Sequence, residues 1–379
     1  MDLIVIQSTL NRALRLITRI APTKAVLPIL QTVLLDAGPH GLTLTATNGD
    51  LGVETTIAAE VRTSGRVATA AHLLGEYVAQ LPTDPLRLTL DGAGQRFTVT
   101  CGRSAARMAS LPAAEYPALP TPGDRWAFDL DARRLQAALT KVSFAASRDS
   151  SRPILTAVLF DFGAAGLTLA AADGFRLARV VLPDVTGGDR QLLVPSAAVA
   201  EFSRLLSDGD TARLGLGAET QSLTLSVGAT RLVTRLVDGH FPDITQIIPK
   251  SSRTRVTVAT ASLRQAVRVA GLFGSQGDAR PVVLLADTDH LVLQARGDLT
   301  GEARSELPAK LEGEAQGVAL NTRLLTDLLD AMSEPQVELS WVTPQTPLVI
   351  RALGERSPEA LAVVMPIHDP SLLRPQQAA

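Results

Sequence analysis

The sequence predicts an α+β fold built from three successive copies of one domain, each with antiparallel strands half covered by two helices. Three observations predict it. Landmark residues recur at one fixed offset. Between the landmarks, helical spacing and strict alternation follow each other in the same order. At 379 residues, the chain is also too long for one ordinary core.

The offset is read residue by residue. Pro28 in LPIL and Pro153 in RPIL stand 125 residues apart, as do Gly49 in TNGD and Gly174 in ADGF. Leu111 and Leu236 share that spacing, and so do Pro117 and Pro242 in the pairs Tyr116-Pro117 and Phe241-Pro242. A third copy has drifted by a few residues: Pro281 opens PVVLL, residues 291–295 repeat the LTLTA pattern, and Met365-Pro366 falls where the aromatic-proline pairs fall. Turn prolines and glycines recur by chance in any protein, but here the apolar pattern between them aligns too.

Each copy follows one grammar. A short strand (3–6, 126–130, 255–258) leads to a polar helix cap at Ser8, Asp131 or Ser262. A helix follows with its apolar stripe at Leu10, Leu14 and Ile17, at Leu135, Leu139 and Val142, or at Leu263, Val267 and Ala270. Alternating strands such as 42–45 come next. A second helix (about 71–80, 197–206, 322–332) then precedes further alternation, as in 87–90 and 97–101. Proline- and glycine-rich stretches at 117–125 and 248–254 read as linkers. The expected domains are residues 1–122, 126–249 and 254–367, with a tail at 368–379 whose Pro and Gln content points to disorder.

Composition excludes several function classes. The chain is 46% hydrophobic and 20% charged, and aromatics make up only 3%, so aliphatic side chains must fill the cores. A net charge of -2 argues against nucleic-acid binding by bulk charge, though not against a local basic face. One cysteine, Cys101, leaves no internal disulfide and reads as a small buried hydrophobe. No signal peptide and no membrane-length apolar run is visible, so the expectation is a soluble, cytoplasmic protein. The five histidines are scattered without metal-ligand spacing, and no nucleophile elbow, phosphate loop, zinc motif or dinucleotide fingerprint occurs. No enzyme, metal site or cofactor is expected.

The basic residues are informative by position. Arg12, Arg15 and Arg19 lie off the apolar stripe of the first helix, as do Arg134 and Lys141 in copy two and Arg264 and Arg268 in copy three. One such helix is most simply a solvated face; equivalent basic faces in three copies favour a shared surface. Without interleaved aromatics or base-reading motifs, what remains is weak, sequence-independent contact with phosphates.

LPIL at 27–30, ADGFRLA at 172–178, LVDGHFPD at 236–243 and VVMP at 363–366 together resemble the bacterial sliding clamp family, the beta subunits of DNA polymerase III, over residues 1–367. The resemblance implies a non-catalytic processivity factor: a head-to-tail homodimeric ring around double-stranded DNA, helices lining the hole and sheets outside. It implies partners that dock by short linear motifs: the polymerase III alpha subunit, the clamp loader, other polymerases and repair proteins. By position, the peptide pocket would comprise Leu155, Ala172, Gly174, Phe175, Arg176, Leu177, Pro242, Ile247, Val363, Val364, Met365, Pro366 and Ile367. Phe175 stands where the family often has His, and Gln246 replaces a basic residue. DNA would be met by Lys24, Arg148 and Arg152 besides the helix cations. Pro153 and Ile154 replace frequent aromatics there and make stacking less expected. At the subunit junction, Ala106 and Met108 would meet Leu272 and Phe273, Arg96 and Arg103 would pair with Glu302 and Glu306, and edge strands near 103–111 and 299–307 would join. The competing reading is a repeat-domain interaction scaffold that never threads DNA; a hydrolase built from scattered His and Asp residues has no arrangement in its favour.

Overall fold

The computed structural model describes residues 1–92, 96–121, 127–185, 188–206, 211–217, 221–273, 280–297, 300–354 and 359–368. Residues 122–125 of the first expected linker, Trp126 of the expected strand 126–130, Leu299 and tail residues 369–379 lie outside them. The chain forms two compact units, Met1–Arg133 with Arg204–Leu236, and Arg134–Ser203 with Val237–Ala379.

In the first unit, the described residues form one thirteen-stranded antiparallel sheet. Helices α1 (Gln7–Ile20) and α2 (Ala71–Gln80) pack on each other, and α1 lies on the strands Gly41–Thr47 and Leu51–Ile57. The expected stripe is the buried one: Leu10, Leu14 and Ile17 are each 0% exposed, joined by Ala13 and Ile20. Burying side chains of this size contributes roughly 1.5–3 kcal/mol each. Ser8 is not the cap. The helix starts one residue earlier at Gln7, whose N–H donates to the Asp84 carbonyl at 3.3 Å, and Ile6 holds the N-cap position without a side-chain bond. The Gln7 amide is buried as well and donates from Nε2 to the Val78 carbonyl at 2.7 Å, tying α1 to α2. Cys101 is 3% exposed in its strand.

Twelve strands form the antiparallel sheet of the second unit among the described residues. Most of helix α3 (Ala132–Ser143) and of α4 (Ser196–Leu206) belongs with it, as do α5 (Thr260–Phe273) and α6 (Thr322–Asp330). The expected stripes are interior here too, with Leu135, Leu139 and Val142, and Leu263, Val267 and Ala270, all 3% exposed or less. Ser262 lies inside α5, which begins two residues earlier because the Thr260 N–H reaches the Pro335 carbonyl at 2.9 Å. At α6, Asn321 caps the helix, accepting from the Arg323 N–H at 2.9 Å.

The middle copy contributes to both sheets. Its strands Ala127–Asp131, Thr211–Leu216, Ser222–Val227 and Thr230–Arg235 continue the first sheet, where Thr230–Arg235 pairs with Leu51–Ile57 of copy one. That junction carries a 2.8 Å Thr55–Thr230 hydroxyl bond and an Arg231–Glu54 ion pair at 3.2 Å. The strands Ala157–Gly163, Gly166–Ala172, Arg176–Leu182 and Arg190–Pro195 belong to the second sheet, where Arg176–Leu182 pairs with Glu359–Val364 of copy three. The landmark glycines Gly49 and Gly174 hold φ of 102° and 94° in equivalent turns, a backbone region that side-chain-bearing residues rarely adopt.

Candidate functional site

The strand Arg176–Leu182 begins at the Gly174 turn and carries most of the expected groove. Asp173 shapes this turn: its Oδ1 accepts from the backbone N–H of Phe175 at 2.9 Å and of Arg176 at 3.0 Å. Pleating then sends successive side chains to opposite faces. Leu177 faces a cluster with Ala172, Val363, Phe241, Ile244 and Val349, and Ile154 and Ile248 pack against it. Ala172, Leu177 and Val363 are 8%, 2% and 1% exposed and form a floor. Above the floor, Phe175 is 66% exposed and Ile247 42% exposed, with Gly174 and Pro242 also on the surface. The backbone holds the carboxyl-terminal segment in place: the Met365 N–H donates to the Phe175 carbonyl at 2.9 Å, and the Ile367 N–H to Ala319 at 2.8 Å. Met365, Leu155 and Ile367 are half-buried and Pro366 is buried.

Two expected pocket side chains lie elsewhere. Val364 is 0% exposed and pairs directly with Arg176, on the face opposite Val363. The Arg176 side chain turns toward the helices: Nε donates to Asp173 at 2.9 Å, Nη1 donates to Asp327 at 2.7 Å, and the guanidinium lies 5.4 Å from the Phe144 ring centroid. Arg176 therefore braces the turn and does not line the floor. Phe241, Ile244, Ile248 and Val349 join this cluster and were not among the expected pocket residues. The signal for Val349 was its strand alternation; for Phe241 it was the LVDGHFPD motif itself. At the lip, Asp243 accepts from the Thr245 N–H and hydroxyl and from Gln246, and these bonds hold its carboxyl below the usual value of 3.8.

The expected DNA-facing residues divide. Arg12, Arg15, Arg19 and Lys24 are exposed in the first unit, and Arg148 in the second. Lys141 is not on a surface. Its side chain is 8% exposed and paired with the equally buried Glu334, brought in by the chain after α6. Arg264 is also engaged: it donates to the Leu329 and Met332 carbonyls at 2.7 Å, satisfying the carboxyl end of α6. Arg268 pairs with Asp330 at 2.7 Å and Arg134 with Asp184 at 3.0 Å, and both stay half in solvent. Arg152 lies against the Gly174 turn, at the groove's edge.

At the expected junction, Leu272 is 74% exposed, whereas Met108 is 6% exposed and faces its own core opposite Phe97. Alternation puts Ala106 on the Met108 face and Arg107 outward. Arg96, Arg103, Glu302 and Glu306 are exposed and Phe273 is partly covered. Glu306 pairs with Arg304 of its own strand at 3.1 Å. Two of the strand edges left open among the described residues are those expected at the junction. Ser104–Leu111 pairs with Arg96–Cys101 on one side and only through Ser110 and Leu111 on the other. Gly301–Gly313 pairs with His290–Gly297 and meets Thr254–Ala259 only from Ala309 onward.

Three family models match the chain in order: the N-terminal, central and C-terminal domains of the DNA polymerase III beta subunit, at residues 1–120, 129–243 and 245–368. A beta sliding clamp of Synechococcus elongatus is 31% identical over 375 residues, covering 97% of this chain and 99% of the relative. The chain belongs to the DNA polymerase III beta subunit family. A Streptomyces coelicolor beta sliding clamp is 28% identical, covering 96% of this chain and 98% of its own length. The Bacillus subtilis polymerase sliding clamp has the same fold, with a TM-score of 0.91 at 21% identity over 97% of this chain and 99% of that one. A C. crescentus beta sliding clamp, 26% identical with a TM-score of 0.89 over 97% and 99% of the two chains, was crystallised with polyethylene glycol at a region proposed to tether beta-motifs. The fold is the three-domain clamp fold, and the family consists of processivity factors and not of enzymes.

Proposed function

We propose that this chain is a DNA sliding clamp, the processivity factor that keeps a replicative polymerase on double-stranded DNA. The observation that carries the reading is the ordered match of all three family domains along one chain. We assign the domains to 1–122, 126–249 and 254–367. Two copies close head to tail into a ring, the open edge of Ser104–Leu111 in one pairing with the open edge of Gly301–Gly313 in the other. Each edge then covers backbone groups that would otherwise invite unwanted strand addition. Arg96 and Arg103 meet Glu302 and Glu306 there, beside Leu272 and Phe273. Arg12, Arg15, Lys24 and Arg148 touch phosphates loosely, because topology and not affinity retains DNA. Partner motifs of the polymerase alpha subunit, the clamp loader and repair proteins lie over Ala172, Leu177 and Val363, between Phe175, Ile247 and Met365. Met365 repacks at low cost around different ligands.

The test is topological. Loaded onto nicked circular DNA, the protein stays bound through a salt wash and leaves when the circle is cut. Retention on a linear duplex with free ends would instead favour a scaffold that never threads DNA.

A further inference from the structure

Beside the groove lies a cavity of about 270 Å³ lined by Pro249, Lys250, Ser251, Ser252, Arg255, Glu338, Ser340, Val349 and Arg351. Three cations face one carboxylate there. Glu338 is shared, reached by Arg255 at 3.4 Å and by Arg351 at 3.7 Å, and Arg255 also touches Glu312 at 3.8 Å. Lys250 is exposed at the rim. Within the lining, positive charge is in excess by two, and by one when Glu312 beside Arg255 is counted.

Strand register links this cavity to the groove floor. Ala172 stands opposite Leu177, Leu177 opposite Val363, Val363 opposite Val349, Val349 opposite Ser340, and Ser340 opposite Arg255. These six residues make one row on one face of the sheet, apolar over the first four strands and polar over the last two. With strands about 4.8 Å apart, Leu177 and Arg255 are separated by roughly 19 Å, the reach of about six extended residues. The covering segment is continuous as well: Ile248 packs on the apolar floor, and Pro249 and Lys250 line the cavity.

We propose that this cavity binds the carboxylates of an acidic segment flanking the apolar motif of a partner peptide, so that the site reads charge as well as shape. The inference rests on the peptide-groove reading. It gives a use to Arg255, which ends the row, and to Arg351, which stands two residues from Val349 on the same face and also donates to the Ser340 hydroxyl at 3.3 Å.

The test uses the full-length protein and a fluorescein-labelled clamp-binding segment of its own polymerase III alpha subunit, extended at either end by two aspartates or two asparagines. At low salt, the aspartate extension at one end should tighten binding about fivefold over asparagine, the scale of one or two exposed ion pairs. The gain should vanish at high salt. Lys250→Glu and Arg351→Gln should remove the gain and leave the asparagine peptide's affinity unchanged, which also reports that each variant is folded. Equal affinity of both peptides at both ends overturns the proposal and leaves the groove intact. Failure of the asparagine peptides to bind sinks the groove reading and this inference with it. If millimolar inorganic phosphate occupies the cavity while aspartate brings no gain, the site is one for free anions and the peptide proposal falls.

Discussion

Lys141 illustrates what a single residue's position in sequence can and cannot carry. It sits on α3 one heptad from Arg134, on the polar side of the helical wheel, yet its partner Glu334 is 193 residues away. Spacing along a helix reveals which side of its own element a residue occupies; it carries nothing about what later chain will cover that side. Breaking a buried pair strands one charge, so Glu334→Ala should lower stability by about 3–5 kcal/mol in urea unfolding. Replacing both partners, as Lys141→Met with Glu334→Leu, should return most of that loss, since no uncompensated charge remains. Asp243 offers a pH test at the same scale. Its folded pKa is depressed below 3.8 by the Thr245 and Gln246 bonds. The stability it contributes is complete above the ordinary carboxylate value and is lost as pH falls through the depressed one. An NMR titration should place its midpoint below 3.8. Protection of the Thr245 amide should disappear over the same interval.

Elements were the most legible level. The stripes on α1, α3 and α5 could be read directly because burial on a helix repeats every three or four residues. The starts of α1 and α5 could not, because main-chain carbonyls at Asp84 and Pro335, and not neighbouring side chains, satisfy their first N–H groups. The groove was half legible. Its motifs marked strands that lie side by side, but the pleat separates Arg176 from Leu177 and Val364 from Val363, and motif matching ignores faces. Leu14→Ala should cost about 2–5 kcal/mol, the usual range for emptying a buried leucine site, whereas Arg15→Ala should be nearly neutral. Leu272→Asp tests the proposed junction. Since Leu272 is 74% exposed, the variant should keep its melting temperature as a monomer while its dimer dissociates in sedimentation at least about tenfold more readily.

For the whole molecule, three copies were visible in the sequence, but the seams joining them were not. The pairings of Thr230–Arg235 with Leu51–Ile57 and of Arg176–Leu182 with Glu359–Val364 are main-chain bonds, indifferent to most side chains and therefore silent in composition. Those seams also bear on how such a chain can be shortened or rearranged. A gene fragment ending after copy one would release Leu51–Ile57 from its neighbour and leave its outer N–H and C=O groups unpaired, a template for strand addition. The copies are thus no longer interchangeable parts: copy two covers a strand edge of copy one, and copy three covers one of copy two.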